Sequence, residues 1–273
     1  MLADAVAAEA YKFLRQRGGL FWGFCAVPLG MLIFHLGVDT WMNSRISVPL
    51  HMDIGRQILN GLNGGGSAFF HIFFIAGATA IFSGEYRWET WRLLTPRNSR
   101  INLLAAKFMV YAIAAAISLL MLGVAYGVHG LYAGTLSGRI TLPGADFPLL
   151  AAGTFLVNWA ELLLLGAFTA LVAVTTRANI GPLIAGICFS FAQSLASSPM
   201  VAPLWDNRLR WLALFPGRTT QYLRSLLGGE PIAPNLYSDP ALLLPAILFL
   251  TGWILLLGGA TLIRFQRQDL PRE

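Results

Sequence analysis

Apolar residues along this chain gather into six long blocks separated by polar breaks. The blocks cover residues 19–37, 67–83, 103–128, 148–174, 180–200 and 242–263. A bilayer core of about 30 Å takes roughly 20 helical residues at ~1.5 Å each, so blocks of this length predict membrane spans. The second block is the shortest, and the fifth carries Pro182 and several polar residues. No stretch alternates with a period of two over many strands, which argues against a barrel. The pattern therefore predicts an all-α integral membrane protein with six transmembrane helices. No internal repeat and no second hydrophilic domain interrupts it.

The breaks carry their own patterns. Residues 1–18 precede the first block, and Leu2, Val6, Ala10, Phe13 and Leu14 recur there at helical spacing, with Glu9, Lys12 and Gln16 on another face. This predicts an amphipathic helix lying along the inner leaflet, with Lys12, Arg15 and Arg17 drawn to anionic head groups at roughly 1 kcal/mol each. Residues 38–66 are polar and mixed, ending in the flexible run Asn63-Gly64-Gly65-Gly66. The segment 201–241 is long and rich in proline, and Trp205, Leu209, Leu212 and Phe215 can share one helical face beside Arg208 and Arg210. It reads either as an interfacial or re-entrant helix over the outer mouth or as a plain external loop. Residues 264–273 form a basic tail.

Composition sharpens the class. The 273 residues are 56% hydrophobic and only 12% charged, too little charge to keep a soluble domain of this size wet. The formal net charge of +6 is spread among the spans, which disfavours nucleic acid as a partner. Its position is more informative. With both termini inside, Lys12, Arg15, Arg17, Arg87, Arg92, Arg97, Arg100, Lys107, Arg177, Arg264, Arg267 and Arg272 fall on the cytoplasmic side, and the outer set is smaller. That bias predicts a multi-pass protein of the inner (cytoplasmic) membrane with both ends cytoplasmic. The N-terminal apolar run is too long for a signal core, so the first span is expected to be retained. Cys25 and Cys188 lie in apolar stretches and read as small buried hydrophobes.

The densest charge lies between the second and third spans, over 84–101. If residues 85–94 are helical, Glu85, Glu89 and Arg92 line one side, and Trp88 and Trp91 form an aromatic ridge beside them. Pro96 ends that helix, and Arg97 and Arg100 anchor the next span in the head groups. Lys107 is expected to snorkel to the same level. A short helix tied to two spans can relay displacement from a docked partner into the bundle. An ordinary positive-inside loop is the plainer alternative.

The stretch from Glu85 to Lys107 resembles the signature region of ABC-2 type permeases, the membrane subunits of one class of ATP-driven transporter. The matching positions are Glu85, Thr90, Leu93-Leu94, Pro96, Ser99-Arg100 and Lys107. The run from Arg264 to Leu270 is similar to the usual ending of that family, and the six-span plan agrees along the full length. The chain departs from the pattern at Glu89, where the family usually has Gly before the Thr. The resemblance implies a cytoplasmic coupling helix that sits in a groove of a separate ABC-type ATPase subunit. Glu85, Arg87, Trp88, Glu89, Thr90, Trp91, Arg92, Pro96 and Arg100 would then form the coupling surface. It also implies a homodimer or a heterodimer with a second permease, in contact with membrane lipid. Export of an amphipathic substrate by alternating access would follow.

The motor must be another chain. Lys12 and Lys107 are the only lysines and neither follows a glycine, so no Walker A loop exists here. No cofactor is therefore expected in this chain, with ATP and Mg²⁺ bound by the partner subunit. Inside the fourth span, Glu161 must face the bundle or take up a proton, and Asn158 lies one turn away. With Gln193 and Ser194 of the fifth span, these are candidates for a polar pathway, a subunit interface or a structural hydrogen bond. His35 and His71 read as interfacial residues near the outer ends of the first two spans. Gly123, Gly127, Gly166 and Gly186 allow close helix packing. Two other classes stay open: a membrane-embedded enzyme using Glu161 with a histidine, and a non-transporting sensor or assembly subunit. The enzyme needs its groups at one depth, and the sequence separates Glu161 from both histidines.

Overall fold

The computed structural model describes residues 2–45, 52–88, 99–137, 140–198, 208–227 and 240–268. Helix α1 (Leu2–Arg15) leads into α2, which comprises Arg17–Leu20, a π-helical turn Phe21–Cys25 and Ala26–Arg45. There follow α3 (Ile54–Gly64), α4 (Ala68–Trp88), α5 (Arg100–Ser137), α6 (Phe147–Thr176), α7 (Ile180–Ala196), α8 (Arg208–Leu214), α9 (Pro216–Leu226) and α10 (Leu243–Gln266). A parallel bridge joins β1 (Met52–Asp53) to β2 (Ile140–Thr141). The chain is an all-α membrane protein. Among the described residues five helices are long and apolar enough to cross a bilayer: Arg17–Met42, Ala68–Tyr86, Arg100–Leu136, Phe147–Thr176 and Pro240–Gln266.

Helix α7 covers the fifth apolar block but has only 17 residues. At ~1.5 Å per residue it spans about 25 Å, short of a full bilayer core. Helix α5, with 38 residues, extends well beyond the predicted span at its far end. Helix α4 also runs longer than expected, so Glu85 and Tyr86 belong to its last turns rather than to a separate helix.

Helix α6 occupies the centre and touches α3, α4, α5, α7, α9 and α10. Its sequence suits that place, with Pro148 in its first turn and a largely apolar body whose polar residues Thr154, Asn158, Glu161 and Thr169 are buried. Arg177 closes it in the left-handed conformation (φ 55). Two glycines set the closest approaches. A Cβ at Gly23 would lie 2.6 Å from the Gly77 Cα, so α2 and α4 cross almost backbone to backbone. Gly166 of α6 holds the Tyr111 ring of α5 where a side chain would stand. Tyr111 is fully buried and its hydroxyl donates to the Leu162 carbonyl at 2.8 Å. Within the π turn, the Phe24 carbonyl accepts from Ser118 at 2.5 Å, a partner of the kind a widened ladder needs.

Helix α3 falls in a segment read from sequence as irregular. Asp53 caps it by accepting from the Arg56 amide at 3.1 Å, and Ile54 and Leu62 are buried. Ile58 packs close to Gly127 of α5, and Leu62 close to Gly123. Cys188 is exposed on α7 and Cys25 half-buried, so the expected burial holds for neither. The polar α7 residues face α4 and α9, leaving Cys188 on the outward side with Ile184, Phe191 and Leu195.

Candidate functional site

Two polar centres sit at opposite ends of the bundle. The first joins α1, α4 and α5. Lys107, two turns into α5, is 1% exposed rather than snorkelled. Its ammonium donates to the Glu85 carboxylate at 2.6 Å, to Glu9 at 3.1 Å and to the Ile81 carbonyl at 2.7 Å. Those three acceptors use all its protons. Lys12 reaches the same two acids, pairing with Glu85 and, at 3.2 Å, with Glu9. Four charges thus cancel in one cluster.

That arrangement corrects two expectations. The buried row of α1 is Ala5, Glu9 and Phe13, while Leu2 and Leu14 are exposed. The predicted polar face therefore turns inward at Glu9, because an unpaired Lys107 inside the bundle would cost several kcal/mol. Glu85, expected on a partner-facing surface, is 1% exposed and committed to lysines of its own chain. Burial alone would raise the Glu9 pKa, but Lys107 and Lys12 together outweigh it and hold the carboxyl below its ordinary value. Lys12 is pushed down to about 8 by burial, with repulsion from Lys107 adding to it and Glu9 opposing.

Close by, Arg100 grips the end of the last helix. Its guanidinium donates to the carbonyls of Phe265, Gln266 and Gln268 at 3.2, 3.0 and 2.7 Å. A cation on unpaired C-terminal carbonyls is favoured by the helix dipole. Gln268 also accepts from the Tyr86 hydroxyl at 3.0 Å and donates to the Val174 carbonyl at 2.5 Å. The ends of α4, α5, α6 and α10 are therefore pinned together. Arg100, expected to anchor in head groups and to meet a partner, acts inside the chain. Arg87 and Trp88 form the last turn of α4, while Glu89, Thr90, Trp91, Arg92 and Pro96 lie outside the described residues.

The second centre lies at the other end, around Glu161. The sequence required this acid to face the bundle or take up a proton, with Asn158 one turn away, and pointed to no cation for it. Arg224 of α9 supplies the cation by direct ion pairing, and Thr220 donates to the same carboxylate at 3.2 Å. Arg224 also donates to the Asn158 carbonyl oxygen at 2.9 Å, and the Asn158 amide donates to the Thr154 carbonyl at 2.8 Å and to Asn63 at 3.3 Å. The guanidinium packs against Gly66, where any side chain would collide with it. Gln193 accepts from the Gly217 amide at 2.9 Å, satisfying a backbone donor in the first turn of α9. Helix α9 is thus tucked into the bundle, with Pro216, Arg218, Thr219, Tyr222 and Leu223 buried. The long segment contributes two short helices, α8 and α9, the second of them packed against α6, α7 and α10. Trp205 lies outside the described residues.

Asn158, Glu161 and Gln193 therefore meet around α9. Glu161 and Gln193 also line a cavity of about 430 Å³, together with His71, Ser190, Ser194, Gln221 and Arg224. His71 is buried, not interfacial, and its Nδ1 lies 2.8 Å from the Ser190 hydroxyl. It shares the cavity with Glu161, so the separation in depth inferred from sequence does not hold for this pair. His35 instead stacks on His129 with ring centroids 4.4 Å apart, and His129 Nε2 lies 2.9 Å from Asp39. Among the described residues, no group of three or more His, Cys, Asp or Glu side chains is placed to hold a metal ion.

Two signals for the second centre were present in the sequence. Ser190, Ser194, Ser197 and Ser198 recur at helical spacing, and Arg218 and Arg224 interrupt an otherwise uncharged run. Their partners lie dozens of residues away, which local pattern does not reveal. No family model matches the chain, and no curated protein matches it.

Proposed function

We propose that this chain is the permease subunit of an ATP-driven ABC transporter, moved by a separate ATPase that binds ATP and Mg²⁺. On this reading α7 is a short fifth span, giving six, and the turn after α4 is a coupling helix on the cytoplasmic side of the inner membrane. Glu89, Thr90, Trp91, Arg92 and Pro96 meet the ATPase together with Arg87 and Trp88, while Glu85 and Arg100 act inside the bundle. Two copies, or one copy with a related permease, complete the transporter. Export of an amphipathic substrate is the direction that the sequence resemblance favours.

One observation carries the reading. The signature residues Glu85, Arg100 and Lys107 bind α1, α4, α5 and the end of α10 into one network around the turn. Displacement of the turn would be felt by the N-terminal helix and the last span together, rather than being absorbed by a loose loop. Mutual neutralisation of the buried charges makes that junction stiff and specific.

Affinity purification of the tagged full-length chain from its native membrane tests this reading, with co-purified proteins identified by mass spectrometry. A stoichiometric P-loop ATPase is expected, lost on Arg92→Glu while the chain still inserts and keeps its thermal transition. Recovery of the chain without any P-loop protein, or an ATPase indifferent to Arg92→Glu and Glu89→Lys, would overturn the coupling assignment.

A further inference from the structure

The cavity beside Glu161 is rich in polar side chains. A cavity beside the start of α2 and the end of α4 also carries polar groups, from Gln16, Arg17, Thr79, Ser83 and Asn179, while those between α1, α2 and α5 and between α6, α9 and α10 are walled mainly by apolar side chains. Here hydroxyl and amide groups meet instead, from Ser67 of the turn before α4, from Ser190 and Ser194 of α7 and from Gln221 of α9. At ~30 Å³ per water, about 430 Å³ holds roughly a dozen waters, within the range of small-molecule sites.

The charges on its wall cancel. Glu161 and Arg224 are the charged side chains among the described lining residues, and they are paired with each other. A ligand with net charge would enter a poorly solvated space with no counter-ion, at a cost of several kcal/mol. An apolar ligand would strip water from polar groups without replacing their hydrogen bonds. Those groups are in want of partners: the Gln221 side-chain carbonyl oxygen and the Ser198 hydroxyl are buried without a hydrogen bond among the described residues. Each such group costs about 1–3 kcal/mol unless water or a ligand satisfies it. Apart from the His71 imidazole, the described lining offers no aromatic face on which a flat ring could stack.

We infer that this cavity is a binding site for a small uncharged polyol, a linear group carrying several hydroxyls. Each hydroxyl both donates and accepts, which matches a wall mixing the Gln221 acceptor with serine hydroxyls of either role. Gln193 and Arg224 are held by Gly217 and Glu161, so they shape the site while the serines and Gln221 meet the ligand. The inference rests on the transport reading and deepens it, by naming a polyhydroxyl group as the polar part of the amphipathic substrate that the outer half would hold. Binding is read without any ATPase, so the two can fail separately.

The test uses the full-length chain in lipid nanodiscs carrying Ser194→Cys, a position on the cavity wall that is itself exposed. Its reaction with a water-soluble thiol reagent is followed by mass spectrometry. A cysteine placed at exposed Ala145, in the turn before α6 and outside the lining (Ala145→Cys), is the control. Sorbitol is the probe, with gluconate and glucosamine as negatively and positively charged relatives at equal osmolarity. Sorbitol should slow the reaction at position 194 saturably, about tenfold at roughly ten times its dissociation constant, because only the empty fraction reacts. The reaction at position 145 should not change. Adding Gln221→Leu should abolish protection while leaving the thermal transition in place. Equal protection by gluconate or glucosamine overturns the inference, as does the absence of saturable protection by sorbitol. Sorbitol protection that survives Gln221→Leu overturns it too.

Discussion

Lys107 Nζ lies 2.6 Å from Glu85 Oε1, both side chains 1% exposed, inside a chain that has only one other lysine. Breaking such a pair by removing one partner costs about 3–5 kcal/mol, whereas replacing both with apolar groups is often neutral. Glu85→Leu and Lys107→Met are therefore each expected to destabilise the protein by an amount on that order. The double variant leaves Glu9 paired with Lys12 and should recover most of the loss. Thermal unfolding in micelles across the four combinations measures the coupling. A double variant no more stable than the worse single one would show that the pair does not hold the bundle.

Lys12 offers a pH-dependent readout at the same junction. Burial and the Lys107 charge bring its pKa down to about 8, below the ordinary lysine value of 10.5. The folded protein therefore releases this proton before the unfolded chain does, and stability should rise with pH between about 8 and 10.5 and be flat just below 8. Glu9 works at the other limit: its pKa is depressed below 4.5, so its contribution is present at neutral pH and lost in acid. Because only two lysines exist, amine acylation mapped by mass spectrometry resolves each. Lys12 should become half-reactive near pH 8 and Lys107 should stay protected until unfolding. Equal labelling of both at neutral pH would contradict the cluster.

The spans were legible because lipid-facing and core-facing positions are both apolar, so hydropathy alone marks them. Helix α3 was legible too, and went unread. Ile54, Ile58 and Leu62 recur at helical spacing behind Asp53, but Gly61 and the Asn63–Gly66 run suggested a flexible link. What local pattern hides is charge pairing across the chain. Glu9 was placed on a solvated face because nothing near it in sequence needs an acid, yet Lys107 does, 98 positions away. Arg224 was assigned to an external segment for the same reason, although it completes a pair with Glu161.

The Glu161–Arg224 pair should decide whether α9 stays inserted. Arg224 contacts Glu161, Asn158 and the Gly66 backbone, linking α9 to α6 and to the turn before α4. Arg224→Ala leaves a buried carboxylate unpaired, a penalty of about 3–5 kcal/mol that lifting α9 out of the bundle relieves. Hydrogen exchange in Pro216–Leu226 should then quicken by two orders of magnitude or more, at ~1.4 kcal/mol per tenfold. The buried middle of α6 should stay protected. Glu161→Gln should have a smaller effect, since Thr220 can still donate to the amide oxygen. Unchanged exchange in α9 for Arg224→Ala would mean that its apolar contacts alone keep it in place.

Packing at Gly166 can be tested against its own cause. Any Cβ there would overlap the Tyr111 ring, which is fully buried and tied by its hydroxyl to Leu162. The ring cannot swing aside without giving up that hydrogen bond, and Phe24 and Phe82 pack against it with centroids 6.0 and 6.1 Å away. Gly166→Ala should therefore destabilise the bundle by about 1–3 kcal/mol, despite the better helix propensity of alanine. Shortening the opposing side chain should remove the clash, so Tyr111→Leu ought to cost less in the Gly166→Ala background than in the native chain. Unfolding measured for the four combinations gives the interaction energy directly. A strictly additive cycle, or a stabilising Gly166→Ala, would mean that α5 and α6 do not meet at this point.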